Sequence, residues 1–183
     1  MRRLDRVLQR WRIHQATRHI ANDARVLDIG CADGALLRAL GDRIRVGAGV
    51  DPDAVEGPVG PRSRLFRGMF PAALPDSQSY DVICLLAVLE HVAEQEQRTL
   101  AADCANRLAP GGRVIATVPS PAVDHILNLL RALRLIDGMS LEQHYGFDPA
   151  QLPDRFAAAG LRLLSHRRFQ FGLNHLFVFE RAG

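Results

Sequence analysis

Two carboxylates, Asp28 and Asp51, stand 23 residues apart, each in or just after an apolar run, and small residues crowd the turn after the first. Val26-Leu27-Asp28-Ile29-Gly30-Cys31-Ala32-Asp33-Gly34 reads as a strand feeding a tight turn. Arg45-Val46-Gly47-Ala48-Gly49-Val50 reads as a second strand, ending on Asp51 and Pro52. This pattern makes a nucleoside-binding corner. Small residues let backbone approach a ligand closely, and a carboxylate about 20 residues on accepts hydrogen bonds from both hydroxyls of a ribose. Asp28 belongs at the ligand edge of such a sheet, where it would orient the turn and a cationic end of the ligand; capping the following backbone is its alternative role. For Asp51 the alternative is a cap on the Pro52 turn, which leaves the spacing from the first turn unexplained.

A second chemical candidate is Glu90-His91, after the apolar run Tyr80-Asp81-Val82-Ile83-Cys84-Leu85-Leu86. An imidazole titrates near neutral pH, so His91 is a candidate general base, with Glu90 beside it as a substrate contact. A structural hydrogen bond at a helix start is the competing role for His91. His144 and Tyr145 are candidate substrate contacts in a later covering segment, whereas His14, His19, His125, His166 and His175 read as surface or packing residues. No two metal-ligating types share a tight spacing, so no metal site is expected.

The elements that must hold these groups follow from periodicity. Leu4, Val7, Leu8 and Trp11 recur at helical spacing, which predicts an amphipathic helix over residues 3–21. Strands are predicted near 25–29, 44–50, 65–67, 80–86 and 113–119, with helices at 35–40 and 94–108 between them. Apolar runs alternating with helices imply a parallel sheet covered on both faces. The last third breaks the alternation. Helices are expected over 122–136 and 149–159, the latter with Asp148 as N-cap and Gly160 at its end. Two strands then follow so closely, around Gly172, that they must be antiparallel.

With 183 residues, 48% of them hydrophobic and 23% charged, the chain reads as one ordinary globular domain. Residues 1–22 are assigned to an N-terminal amphipathic helix of that domain, 23–183 to its body, and 120–150 to a substrate-covering insertion. No apolar run reaches the ~20 residues of a membrane span, and the N-terminus lacks an apolar signal core. Three cysteines without metal-type spacing fit a reduced, cytoplasmic setting. All 23 basic residues are arginine, which removes any chemistry that needs a lysine. Net charge is only +3, yet residues 1–25 hold seven arginines against two aspartates. A basic first helix could touch phosphates or an anionic membrane surface; a plainly solvated face is the alternative.

The turn Asp28-x-Gly30-x-Ala32-x-Gly34 resembles the first motif of the class I S-adenosylmethionine-dependent methyltransferases, in particular the small bacterial type. Asp51, Phe70-Pro71-Ala72-Ala73-Leu74-Pro75-Asp76, Leu89-Glu90-His91-Val92 and Arg107-Leu108-Ala109-Pro110-Gly111-Gly112 follow in that family's order. The tail, His144-Tyr145-Gly146-Phe147 and Phe169-Gln170-Phe171-Gly172, resembles members associated with cell-surface glycan assembly. The resemblance implies an α/β fold, a Rossmann-like, doubly wound, mostly parallel seven-stranded sheet with one antiparallel strand near the C-terminus. It implies S-adenosylmethionine bound by Asp28, Gly30, Cys31, Ala32, Gly34, Asp51, Pro52, Gly68, Met69 and Leu86. It further implies methyl transfer, at oxygen by preference, to a small-molecule, lipid or glycan acceptor.

Two departures stand out. Ala32 replaces a frequent glycine, with little loss expected because the residue stays small. Gly68-Met69-Phe70 stands where the family commonly has an adenine-binding aspartate. Two other functions compete with this one. Enzymes acting on exocyclic base nitrogens carry Asn/Asp-Pro-Pro-aromatic where this chain has Leu85-Leu86-Ala87-Val88, which argues against a nucleic-acid acceptor. Binding of the cofactor without catalysis is the other alternative. Oligomeric state is not legible.

Overall fold

A computed structural model describes residues 3–75, 78–120 and 148–181. Helix α1 (Arg3–Thr17) is followed by β1 (Arg25–Ile29), α2 (Ala35–Leu40), β2 (Val46–Asp51), β3 (Gly57–Pro58), β4 (Ser63–Arg67) and β5 (Tyr80–Leu86). After a 3-10 turn at Leu89–His91 come α3 (Glu94–Arg107) and β6 (Leu108–Pro119). A 3-10 turn at Pro149–Gln151 then leads into α4 (Leu152–Ala157), β7 (Leu161–Phe169) and β8 (Asn174–Arg181). The strands form one sheet in the order β3-β4-β2-β1-β5-β6-β8-β7.

Strands β4, β2, β1, β5 and β6 run parallel, and β8 is antiparallel to both β6 and β7. The reversed strand is therefore where the short Gln170–Leu173 connection requires it. The count is eight rather than seven because the loop after β2 adds the two-residue β3, antiparallel to β4. Chain order reverses direction at β1, which lies between β2 and β5. The C-terminal ends of these strands frame the crevice that such a switch point creates.

Both faces of the sheet are buried. Leu27, Ile83, Leu85, Phe177 and Phe179 pack under Cys104 of α3 and Phe156 of α4, whose ring stacks on Phe179 at 4.5 Å. Val26, Val82, Cys84, Ile115 and Leu176 pack under α1 and α2 through Ile13, Ala16, Leu36, Leu37 and Leu40. Period-two alternation sends successive strand residues to opposite cores, so an uninterrupted apolar run feeds both.

Helix α1 stops at Thr17, four residues short of expectation, where the Thr17 hydroxyl donates to the His14 carbonyl. The helix expected over 149–159 is shorter and begins as a 3-10 turn. Pro153 has no N–H to give the Pro149 carbonyl, so the Leu152 N–H takes it instead. Asp148 caps this start as expected, accepting from the Ala150 N–H at 2.9 Å. The helix expected over 122–136, together with His144, Tyr145 and most of the 120–150 insertion, lies outside the described residues.

Candidate functional site

The turn after β1 has the close geometry that its small residues predict. Gly30 and Cys31 both donate backbone N–H groups to the Val50 carbonyl, at 2.9 and 3.3 Å, which ties the turn to β2. Gly30 has φ +72°, and a Cβ there would meet Val88 Cγ2 at 2.4 Å, so the position demands glycine twice over. Gly34, at φ +76°, opens α2 and packs against Val59 and Leu65, behind the turn rather than on its ligand side. Ala32 has φ +46°. The small side chain fits, but the backbone is left-handed, so alanine here carries a cost of about 1–2 kcal/mol that a glycine would not. That corrects the expectation of little loss. A hydrogen bond from the Ala32 N–H to Asp51 Oδ2, 3.0 Å, holds the strained residue in place.

Asp28 is only 4% exposed. Burial, with Asp51 and Asp33 adding negative potential, pushes its pKa up to about 8. A carboxyl in this position stays protonated near neutral pH until a cation arrives to repay its desolvation. Asp51 is half-buried at the end of β2, and its second oxygen accepts from the Asp53 N–H at 2.8 Å. The turn-capping and motif-tying roles thus coexist, and a carboxylate has lone pairs left for further donors. All three cysteines are buried. Burial, with Asp28 beside it, raises Cys31 to about 12, and burial raises Cys84 and Cys104 as well.

A cleft of about 440 Å³ opens over this edge of the sheet. One wall is the motif: Asp28, Gly30, Cys31 and Ala32 after β1, with Leu86, Ala87, Glu90 and His91 after β5. The other wall is formed by residues outside the expected site set. It consists of Leu8, Gln9, Arg12 and Ile13 from α1, Gln170 from the β7–β8 connection, and Asn174 at the start of β8. Gln170 is buried and donates to the Leu8 carbonyl at 3.2 Å, while Asn174 donates to its Oε1 at 2.5 Å. Trp11 of α1 meets Phe171 edge-to-face at 6.1 Å, so the connection clasps the helix across the cleft. Three of the five described non-glycine residues with positive φ, Ala32, Ala87 and Gln170, line this cleft. Backbone strain gathers where a ligand site is being shaped.

Of the expected cofactor residues, Asp28, Gly30, Cys31, Ala32 and Leu86 line the cleft, as do Glu90 and His91. Asp51 stands one hydrogen bond behind Ala32. Pro52 and Met69 are exposed, Met69 at 68%, and Gly68 donates its N–H to the Asp51 carbonyl at 3.1 Å. None of these three belongs to the cleft lining, and neither does Asp51. A larger groove, about 510 Å³, runs between α1 and α2 and contains none of the expected site residues. Size therefore does not pick out the chemistry here. No described helix is long and apolar enough to cross a membrane.

A family model described as a methyltransferase domain matches residues 1–166. The chain belongs to the class I S-adenosylmethionine-dependent methyltransferases. A ubiquinone biosynthesis O-methyltransferase from Saccharophagus degradans is 28% identical to this methyltransferase over 156 residues. That match covers 77% of the chain and 64% of the relative, so the chain spans less than two thirds of the relative's length. Magnesium protoporphyrin IX methyltransferase from Synechocystis PCC 6803, solved with bound SAH, superposes with a TM-score of 0.68 at 17% identity, covering 97% of this chain and 83% of that one. The N-methyltransferase NodS from Bradyrhizobium japonicum WM9 superposes with a TM-score of 0.64 at 16% identity, over 96% and 97% of the two chains. The fold and the cofactor class expected from the sequence are those of this family.

Proposed function

We propose that this methyltransferase transfers the methyl group of S-adenosylmethionine to an oxygen of a small-molecule, lipid or glycan acceptor, within the cleft between the motif wall and α1. The carrying observation is the buried Asp28 at the cleft surface, a carboxylate without an ion-pair partner among the described residues, beside a turn whose glycine admits no side chain. S-adenosylmethionine fits this donor set, because its ammonium group supplies the cation that Asp28 lacks. Arg12, on the other wall, suits the carboxylate of the same amino-acid end. Asp51 receives the ribose hydroxyls on this reading, and Pro52, Gly68 and Met69 form the flank for the base. Gly68 and Met69 would hold the ring through backbone and thioether contacts, in place of the aspartate common in the family.

The cofactor supplies an already electrophilic methyl carbon, so the protein's main task is alignment. Holding reactants in line is worth ~7–11 kcal/mol in well-oriented cases. Glu90 and His91 face the cleft just after β5, where they can orient an acceptor hydroxyl, and His91 can take its proton. The oxygen acceptor draws support from the name of the Saccharophagus degradans relative.

Calorimetry with S-adenosylhomocysteine, followed by transfer of a labelled methyl group to a panel of phenols, lipids and glycans, tests the reading. Micromolar donor binding is expected, and His91→Ala should lower kcat while leaving donor affinity unchanged. No uptake of the donor or its demethylated product would overturn the proposal. Tight uptake without any methylated product would favour cofactor binding without catalysis.

A further inference from the structure

Helix α1 has a second side. Leu8, Gln9, Arg12 and Ile13 face the cleft, whereas Arg6, Val7, Arg10, His14 and Arg18 are exposed and share the opposite face at helical spacing. Arg6, Arg10 and Arg18 form no ion pair with any described residue. Asp33, the carboxylate lining the adjoining groove between α1 and α2, is engaged by Arg38 at 2.8 Å. Arg6, Arg10, His14, Arg38 and Arg43 line the groove between α1 and α2, so its lining carries a strong positive excess over the single Asp33. Apolar groups stand out among these cations. Val7 is 56% exposed, and Phe171 is 94% exposed at the end of the β7–β8 connection, propped against Trp11.

We propose that this outer face of α1, with Phe171, docks on an anionic membrane surface. Guanidinium groups suit lipid phosphates, and aromatic and aliphatic side chains beside them suit the boundary between headgroups and acyl chains. A nucleic-acid backbone would satisfy the arginines but gives no reason for Val7 to stand in water among them. The groove and the cleft share Gln9, Ile13 and Ala35, so the basic face is continuous with the space in which an acceptor would sit. Docking would therefore bring a lipid-borne acceptor to the cleft edge. That last step rests on the methyl-transfer reading; the docking itself does not.

Co-sedimentation with vesicles of phosphatidylcholine alone, or of phosphatidylcholine mixed with phosphatidylglycerol, tests the docking separately from methyl transfer. Binding is expected only with phosphatidylglycerol present, and it should weaken as salt is added. The double variant Arg6→Gln, Arg10→Gln should lose roughly tenfold or more in vesicle affinity. Phe171→Ser should lose several-fold in vesicle affinity, and the arginine double variant should leave the melting temperature and S-adenosylhomocysteine binding unchanged. Equal binding to neutral vesicles, no binding to either kind, or wild-type affinity in both variants overturns the proposal. Tighter binding to RNA than to the anionic vesicles, abolished by the same arginine substitutions, would overturn it in favour of a nucleic-acid surface.

Discussion

The motif wall of the cleft is made from residues 28–32 and 86–91, which two neighbouring parallel strands deliver to the same edge. The helix wall comes from residues 8–13 and 170–174, joined by a hydrogen bond from Gln170 to a carbonyl 162 positions away. The first wall is largely backbone and buried carboxylate, fixed by strand register. The second is side chains from a surface helix, held by one amide and one aromatic contact. A site can thus have a wall that barely tolerates change facing one that adapts.

The largest effect expected from the motif wall is a pH dependence. Asp28 has a folded pKa of about 8, against the ordinary carboxyl value of 3.8. Its folded form holds the proton more tightly, so its contribution to stability is fully present at low pH and is lost as pH rises from about 4 to 8. Asp28→Asn should flatten that decline in urea-unfolding free energies measured across this range. His175 runs the other way. Burial, with His166 and Arg168 adding positive potential, lowers its pKa to about 4, so its contribution is lost as pH falls from about 6.5 to 4. Finding the same slope in Asp28→Asn as in the wild type would break the assignment of alkaline sensitivity to the cleft.

Next in size, Gly30→Ala should cost ~2–4 kcal/mol in unfolding free energy, combining a left-handed backbone with a side chain forced onto Val88. A cost below that of any α1 substitution would break the contrast in rigidity. Asp51→Ala should weaken S-adenosylhomocysteine binding by ~1.5–3 kcal/mol in calorimetry, the range of a charge-assisted hydrogen bond. Unchanged affinity with the fold intact would remove the ribose from that position. On the other wall, Gln170→Ala should cost ~1–3 kcal/mol of stability, measured by thermal melting, because it deletes one bond to Leu8 and one to Asn174. A larger loss there than at Gly30 would show that the clasp, not the turn, secures the site.

The difference between the walls also explains what could be read in advance. Strand runs, turn glycines and the Asp28–Asp51 spacing are local, and each strand of the parallel sheet writes its own apolar signature. Even the reversed β8 follows from a connection too short to cross over. Leu8, Arg12 and Asn174 bear no such signature, since a helix side chain facing a cleft looks the same in sequence as one facing solvent or core. Gln170 offered one clue, its place before Phe171-Gly172 in a tight connection, but nothing local connects it to α1. The backbone strain at Ala32 was hidden for a related reason: residue size is visible in a sequence, whereas the sign of φ is set by the strands on either side.

The shielded thiols carry a practical consequence. Cys31, Cys84 and Cys104 lie inside the protein with raised pKa values, so little thiolate is available to alkylating reagents at neutral pH. A fluorophore attached through a Phe171→Cys variant would therefore label one place on the molecule. Its emission colour would report how far that corner sinks into a bilayer, without first stripping the native sulfur.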